Sequence, residues 1–225
     1  MESVMKDIEA PAWFIPYADI RTDSYIILAV LLGKPPSDDV MEVLRDVQWN
    51  ETVTEKINKA LKALSQAGRD VSVQSVKEEF NRLFVGLGCG EMVPYASWYR
   101  EKKIQSRTLA LLRKDLIDLG IVRQAENHES EDHVGALCEI MALIAQDSRS
   151  IPYVVQAKFF HQHIDSWMTA FFRDLQNAKS ASFYRMVGLF GSSFLAAERE
   201  YLKEGINVLI NTQRGGVKNG NGIFQ

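Results

Sequence analysis

Apolar residues recur at spacings of three and four along most of the chain, which is the period of one face of an α-helix. One stripe consists of Val40, Val43, Leu44 and Val47, and it follows two prolines and then Ser37 and Asp38, either of which can cap a helix. Another runs from Val73 to Phe84 after a second candidate cap, Ser72. The same pattern predicts further helices over residues 57–64, 104–119, 132–145, 153–164, 166–175 and 181–202.

No stretch alternates valine or isoleucine with polar residues over a strand's length, so the pattern predicts no β-strand. No internal repeat occurs at solenoid periods either. We therefore expect an all-α fold, a single irregular bundle of roughly ten helices. Residues 1–210 form the helical domain in this interpretation, with the polar stretch 123–131 as a loop joining two parts of it. Residues 211–225, rich in glycine and asparagine, are expected to form a flexible tail.

Composition narrows the class of protein. The chain has 225 residues, 46% of them hydrophobic and 24% charged, which is ordinary globular composition. A net charge of -3 argues against a nucleic-acid binder, which would carry a basic surface. The two cysteines, Cys89 and Cys138, lack the spacing of a disulfide framework or a zinc site. With no export signal in the first residues and no apolar run longer than Tyr25–Leu32, we expect a soluble cytoplasmic protein.

The glycine-rich stretch 86–90 raises the question of phosphate binding, because glycines let backbone N–H groups approach an anion. A dinucleotide fingerprint needs a strand before it, and a P-loop needs Gly-Lys-Ser/Thr. Here a predicted helix precedes the glycines and Glu91-Met92-Val93-Pro94 follows them. A helix end with a tight turn is the favoured interpretation, and a nucleotide-dependent factor is kept as the alternative.

An acidic segment follows further along the chain. Between Glu126 and Glu139 there are five acidic residues and no lysine or arginine. Asp132 and His133 could suggest a catalytic pair, but neighbours on a helix point about 100° apart and do not easily orient each other. Two interpretations remain, a helix N-terminus stabilised by its acidic residues and an exposed acidic surface that binds arginine.

No nucleophile with a placed base, no HExxH motif and no cofactor fingerprint is found in the sequence. His161 and His163 lie two residues apart on a predicted helix and face nearly opposite sides, which does not suit a shared metal. We expect a protein without enzymatic activity, without a metal and without a cofactor. The aromatic run Pro94–Tyr99 could instead leave rings facing a groove for a peptide.

Three motifs occur in order. They are Phe80-Asn81-Arg82-Leu83-Phe84, Pro94-Tyr95-Ala96-Ser97 after the glycine turn, and Glu129-Ser130-Glu131-Asp132-His133 followed by Glu139-Ile140-Met141. In this arrangement the chain resembles the TorD/DmsD family of chaperones for molybdenum-containing oxidoreductases. Ser130 stands where that family usually has proline, a change expected to affect loop stiffness more than chemistry. Weaker similarity extends to Arg21, Tyr25, Phe160, His163, Trp167, Phe183 and Tyr184.

The resemblance implies a cytoplasmic chaperone that binds the twin-arginine signal peptide, or the apo catalytic subunit, of a molybdenum-containing oxidoreductase. Such a chaperone assists cofactor insertion and prevents premature export. The alternative is a GTP-binding or nucleotide-dependent assembly factor that acts on the folded client. The resemblance also implies a monomer or a domain-swapped dimer, with 123–131 as the candidate hinge. The peptide-binding residues it implies are Phe80, Leu83, Phe84, Pro94, Tyr95, Ser97, Glu129, Asp132, His133 and Glu139.

Overall fold

A computed structural model describes residues 14–47, 55–86, 90–104, 106–122, 129–146 and 151–218. Its α-helices are α1 (Phe14–Gly33), α2 (Asp38–Asp46), α3 (Glu55–Arg69), α4 (Val73–Phe80), α5 (Ala96–Glu101), α6 (Arg107–Asp118), α7 (Val134–Gln146), α8 (Tyr153–Phe159), α9 (Ser166–Asn177) and α10 (Phe183–Lys218). Among the described residues there is no β-strand, and an isolated antiparallel bridge joins Tyr95 to His133. The predicted all-α bundle is confirmed.

Helices α1 and α7 form the most closely packed pair of the bundle. A Cβ atom on Gly135 would lie only 2.6 Å from the Cα atom of Gly33, so the backbones approach as closely as glycine permits. Both helices contribute fully buried residues to the core, including Leu28 on α1 and Leu137 on α7. This contact fixes the start of α7 beside the end of α1.

Helix α10 packs against α3, α8 and α9 and carries many of the large buried rings. It extends to Lys218, well beyond the predicted end at residue 202 and into the stretch assigned to a tail. Gly205 lies within the helix and packs close to Tyr153, whose ring would lie 2.8 Å from an added Cβ atom. Residues 219–225 lie outside the described part of the chain.

The predicted helix starts are confirmed at two caps. The hydroxyl of Ser37 accepts the N–H of Val40 at 3.3 Å, and that of Ser72 accepts the N–H of Ser75 at 3.1 Å. Each satisfies a backbone donor that the first turn of a helix leaves free. None of the described helices combines the length and apolar character that a membrane crossing requires.

Two wide π-helical turns interrupt the regular helices. One spans Asn81–Val85 at the end of α4, and the other spans Phe160–Asp165 and joins α8 to α9 without a break. The helices predicted over 153–164 and 166–175 are therefore one continuous element. The first π-turn contains most of the Phe80–Phe84 motif and changes which side of the chain Leu83 and Phe84 face.

Candidate peptide-binding site

The second and third motifs contact each other directly. The N–H of Ala96 donates to the carbonyl of Asp132 at 2.9 Å, and the N–H of Val134 donates to the carbonyl of Pro94 at 2.9 Å. These bonds flank the bridge between Tyr95 and His133. We call residues 93–99 and 129–135 together the signature contact. The pairing means that two segments separated by some 30 residues of sequence form one surface.

The Asp132 carboxylate lies at the centre of the signature contact and has no exposed surface. Its Oδ2 accepts the backbone N–H of Ser97 at 3.0 Å, and its Oδ1 accepts the hydroxyl of Ser130 at 2.6 Å. It therefore caps the start of α5 from outside that helix. Both carboxylate oxygens thus accept hydrogen bonds from within the chain, and the prediction that Asp132 binds a peptide stays a prediction.

Ser130 also has a clearer role than the sequence suggested. Its hydroxyl donates the 2.6 Å hydrogen bond to Asp132, and its carbonyl accepts the N–H of His133 at 3.0 Å. A proline at this position has no hydroxyl and could not make the first bond. The replacement of the family's usual proline thus changes the chemistry of the loop as well as its stiffness.

The His133 side chain is 5% exposed and acts at the start of α7. Its Nδ1 accepts the N–H of Gly135 at 3.1 Å, which places the ring proton of the neutral form on Nε2. Burial lowers the pKa of His133, and the nearby carboxylates of Glu129 and Asp132 oppose that shift. Asp132 and His133 have separate partners, so the structure does not assemble them into a catalytic pair.

Tyr95 and Glu129 form the outer part of the signature contact. The Tyr95 hydroxyl donates to Oε1 of Glu129 at 2.5 Å, and its ring meets that of His133 edge to face at 5.1 Å between centroids. Burial and the Glu129 carboxylate raise the pKa of Tyr95 above its ordinary value. Tyr95 is half-buried and Glu129 is exposed, so an aromatic edge and a carboxylate face solvent together.

The predicted acidic surface is smaller than the sequence suggested. Glu131 makes a bidentate ion pair with Arg113, at 3.1 and 2.9 Å. Asp132 is buried, whereas Glu129 and Glu139 are exposed. The acidic surface at the signature contact is therefore provided by Glu129, with Glu139 further along α7. Residues 123–128, with Glu126 and most of the candidate hinge, lie outside the described residues.

The aromatic motif of α4 lies in the core. Phe80 is 5% exposed and Leu83 has no exposed surface. Phe84, which is half-buried, packs edge to face on Phe80 and on Tyr184, with centroid distances of 5.0 and 5.5 Å. Phe80 and Leu83 are thus packed in the core, and the prediction that they line a peptide groove stays a prediction.

Pro94 and Ser97 are also buried. Pro94 contributes its carbonyl to the start of α7, and Ser97 contributes its backbone N–H to Asp132. The Ser97 hydroxyl finds no hydrogen-bond partner among the described residues. Both residues thus hold the two segments together rather than present a side chain to a ligand.

Sequence reasoning missed Glu79, which is 5% exposed on α4. Its carboxylate accepts three backbone N–H groups at the start of α10, from Ser182 at 2.7 Å, Phe183 at 3.1 Å and Tyr184 at 2.8 Å. A carboxylate satisfies those free donors and suits the positive end of the helix dipole. An available signal was its position on the apolar stripe, one residue before Phe80, where a charged residue needs a buried partner.

The glycine turn gives the nucleotide alternative no support. Gly86 has a φ angle of +57°, and a Cβ atom on Gly90 would lie 2.4 Å from the carbonyl oxygen of Leu83. The next helix, α5, begins only at Ala96, so no helix N-terminus follows directly on the described glycines. Residues 87–89 lie outside the described part of the chain.

A second buried polar cluster joins α1 to α10. The Arg21 guanidinium, 1% exposed, makes three hydrogen bonds of 2.6 to 3.1 Å with the carboxylate of Glu198, which has no exposed surface. Tyr17 and Tyr25 each donate a hydroxyl to Glu198 at 3.2 Å, and Gln156 accepts a further Arg21 bond at 3.0 Å. Arg21 and Tyr25, noted only for weak similarity, thus belong to one buried network.

The other residues of weak similarity are core residues in this structure. They are Phe160, His163, Trp167, Phe183 and Tyr184, and each is at most 2% exposed. The indole of Trp167 donates to the carbonyl of His163 at 2.8 Å, and the Tyr184 hydroxyl donates to that of Leu31 at 2.9 Å. These residues therefore belong to the helical core of this chain.

Comparison with known proteins agrees with the motifs. A Haemophilus influenzae protein named probable Tat proofreading chaperone DmsD is 26% identical over 144 residues, covering 63% of this chain and 68% of its own length. Chaperone protein TorD of Shewanella loihica is 23% identical over 158 residues, covering 65% of this chain and 72% of its own. A crystal structure described as a redox enzyme maturation protein, from Archaeoglobus fulgidus, aligns over 82% of this chain and 94% of its own, at 14% identity and a TM-score of 0.49.

The family model described as nitrate reductase delta subunit matches residues 47–173. That match spans more than half of the chain and includes all three motifs. This chain therefore belongs to the nitrate reductase delta subunit family, and its assignment to the TorD/DmsD chaperones is confirmed.

Proposed function

We propose that this chain is a maturation chaperone for a redox enzyme. It binds the twin-arginine leader, or the apo catalytic subunit, of a molybdenum-containing oxidoreductase, assists cofactor insertion and delays export. The observation that carries the proposal is the signature contact, in which two family motifs combine to present Tyr95 and Glu129 at one surface. The names of the two curated relatives support the same activity.

The exposed groups suit a cationic peptide. A carboxylate can accept two parallel hydrogen bonds from one guanidinium, and Glu129 and Glu139 are the exposed carboxylates near the motif. The half-buried ring of Tyr95 offers an aromatic face beside Glu129, where an arginine or an apolar side chain can pack. Arginine recognition in this proposal depends on Glu129, Glu139 and Tyr95.

The buried motif residues have a supporting role in the same proposal. Asp132 and His133 cap α5 and α7, while Phe80 and Leu83 pack in the core. Substituting them would displace the surface that carries Tyr95 and Glu129 without removing a direct contact to the peptide. In this proposal the protein acts in the cytoplasm, without catalysis or a cofactor, as a monomer or a domain-swapped dimer.

Titration calorimetry tests the proposal with a synthetic peptide that carries two consecutive arginines followed by an apolar run. We expect saturable binding by the wild-type chain and weaker binding after replacement of both arginines by glutamine. Glu129→Gln and Glu139→Gln should each weaken binding, because each removes a charge from the arginine partner. A wild-type chain that binds neither this peptide nor a catalytic subunit carrying such a leader would disprove the proposal.

A further inference from the structure

An apolar groove lies between α1 and α2. It has a volume of about 270 Å³. It exists because α2 packs on α3, with Leu44 and Met41 against Gly68, rather than along α1. The residues that line it are Ile26, Ile27, Val30, Leu31, Asp39, Val40, Val43, Leu44 and Val47. The groove is thus a gap between two helices of one hairpin.

The floor of the groove is aliphatic and accessible. Val43 is 68% exposed and Ile26 is 45% exposed, which is high for residues of their type. The volume lies just below the roughly 300 to 1,000 Å³ typical of small-molecule sites. A row of aliphatic side chains from one face of a docked helix suits such a groove better than a compact ligand does.

The rim of the groove is acidic. Asp39 lines it, and Asp23, Glu42 and Asp46 are exposed on the same two helices. Asp23 lies one helical turn before Ile26 and Ile27, and Asp46 lies three residues after Val43, so both flank the groove at its end away from the hairpin turn. This arrangement favours a positively charged partner.

Few basic groups offset this charge. Lys34 is exposed at the hairpin end of α1. The Arg45 guanidinium is turned away, since it donates to the carbonyl of Gly68 at 2.8 Å and to that of Val71 at 3.0 Å. The rim therefore stays acidic along most of its length.

We propose that the α1–α2 groove binds the apolar, helix-forming part of the leader peptide, with cationic residues of the leader facing the acidic rim. This inference rests on the proposed function and deepens it. It assigns the apolar contact to Ile26, Val30 and Val43, in place of the aromatic motif that the core has buried. Leader recognition then uses two surfaces, one for arginine and one for the apolar run.

Fluorescence anisotropy with a labelled peptide of two arginines and an apolar run tests the inference. Val43→Glu and Ile26→Glu each place a charge in the aliphatic floor, and we expect each to weaken binding about tenfold or more. Ile117→Glu, at an apolar position on α6 that is 76% exposed, is the matched control and should leave the affinity within about twofold. Asp39→Asn combined with Asp46→Asn should weaken binding and reduce its dependence on salt.

The outcomes separate this inference from the proposed function. If the wild-type chain does not bind the peptide, the proposed function fails. If the wild-type chain binds and the folded Val43→Glu variant binds equally well, the groove assignment is wrong while the function stands. A change of sedimentation on Val43→Glu with unchanged peptide affinity would also overturn the assignment, because it would identify a second copy of the chain as the occupant.

Discussion

Glu198 and Asp132 are both fully buried carboxylates, yet the groups that hold them differ in kind. Glu198 faces the Arg21 guanidinium, reinforced by the hydroxyls of Tyr17 and Tyr25. The hydrogen bonds that Asp132 accepts from the described residues come from neutral donors, a backbone N–H and a serine hydroxyl. Glu198 joins the long helices α1 and α10. Asp132 joins the two segments of the signature contact at the start of α5.

This difference shows what the family's acidic signature residue can do. Asp132 has no exposed surface, so a guanidinium could reach its oxygens only after the signature contact opened, which would leave the Ser97 N–H and the Ser130 hydroxyl without their acceptor. In the proposed function Asp132 therefore shapes the surface, and exposed carboxylates recognise arginine. Glu198, in contrast, is matched to an arginine within the chain, so its charge is neutralised before any peptide binds.

The largest expected effect comes from breaking the Arg21–Glu198 pair. Arg21→Met leaves a buried carboxylate without its counter-charge, and we expect the free energy of unfolding to fall by about 3 to 5 kcal/mol. Urea denaturation measures this loss. Adding Glu198→Leu should recover much of it, because the unpaired charge is then removed as well.

The control for that pair is Lys59→Met, which breaks an ion pair with Glu55 on the surface of α3. Both side chains are more than 70% exposed, so solvent screens the pair and no measurable change is expected. A loss below about 1 kcal/mol for Arg21→Met would contradict the role given to the buried network.

A smaller effect is expected for Asp132→Ala. It removes two hydrogen bonds to a charged acceptor and should lower the free energy of unfolding by about 2 to 3 kcal/mol. Glu139→Ala, an exposed position on α7, should change it by no more than about 0.5 kcal/mol. In peptide titrations we expect Glu139→Ala to weaken binding although the stability of the variant is unchanged. Equal stability of the two variants would remove the distinction between shaping and contacting residues.

The pH dependence of His133 should be smaller again. Burial lowers its pKa in the folded state below the value of about 6.5 in the unfolded chain, so the unfolded chain binds more protons as pH falls. Its contribution to stability is therefore complete above pH 6.5 and is lost as pH falls from there through the folded-state pKa. Urea midpoints measured between pH 8 and pH 5 should fall more steeply for the wild-type chain than for His133→Gln. Parallel curves would show that His133 is not held neutral.

Local periodicity was enough to predict the helices, because each stripe of apolar residues buries one face. Val40 and Leu44 on α2 and the caps at Ser37 and Ser72 follow from neighbouring residues alone. The extension of α10 could not be predicted in this way, since Gly205 looks like a helix end in sequence, whereas in the structure it lies within the helix against Tyr153, remote in sequence. Local pattern thus predicts an element, and long-range packing decides where it ends.

The sequence predicted the two segments of the candidate site, but not which of their residues are buried and which are exposed. Phe80 and Leu83 look like groove residues in sequence. The structure places them in the core, where Phe80 packs on Tyr184 of α10 and Leu83 has no exposed surface. The roles of Glu79 and Asp132 depend on backbone donors more than 30 residues away. No local sequence pattern predicts contacts over that distance. The α1–α2 groove could not be predicted either, because it results from the packing of α2 on α3.

The smallest expected effect is that of Ser97→Ala, which separates the role of the Ser97 backbone from that of its hydroxyl. Ser97→Ala keeps the N–H that Asp132 accepts and removes a buried hydroxyl that has no hydrogen-bond partner among the described residues. Since burying an unsatisfied hydroxyl is unfavourable, we expect stability to stay within about 0.5 kcal/mol of wild type or to rise. Peptide affinity should be unchanged, because the side chain is not exposed. A fall of more than about 1 kcal/mol in the free energy of unfolding would show that the Ser97 hydroxyl stabilises the fold. A loss of peptide affinity with unchanged stability would show that the hydroxyl belongs to the binding site.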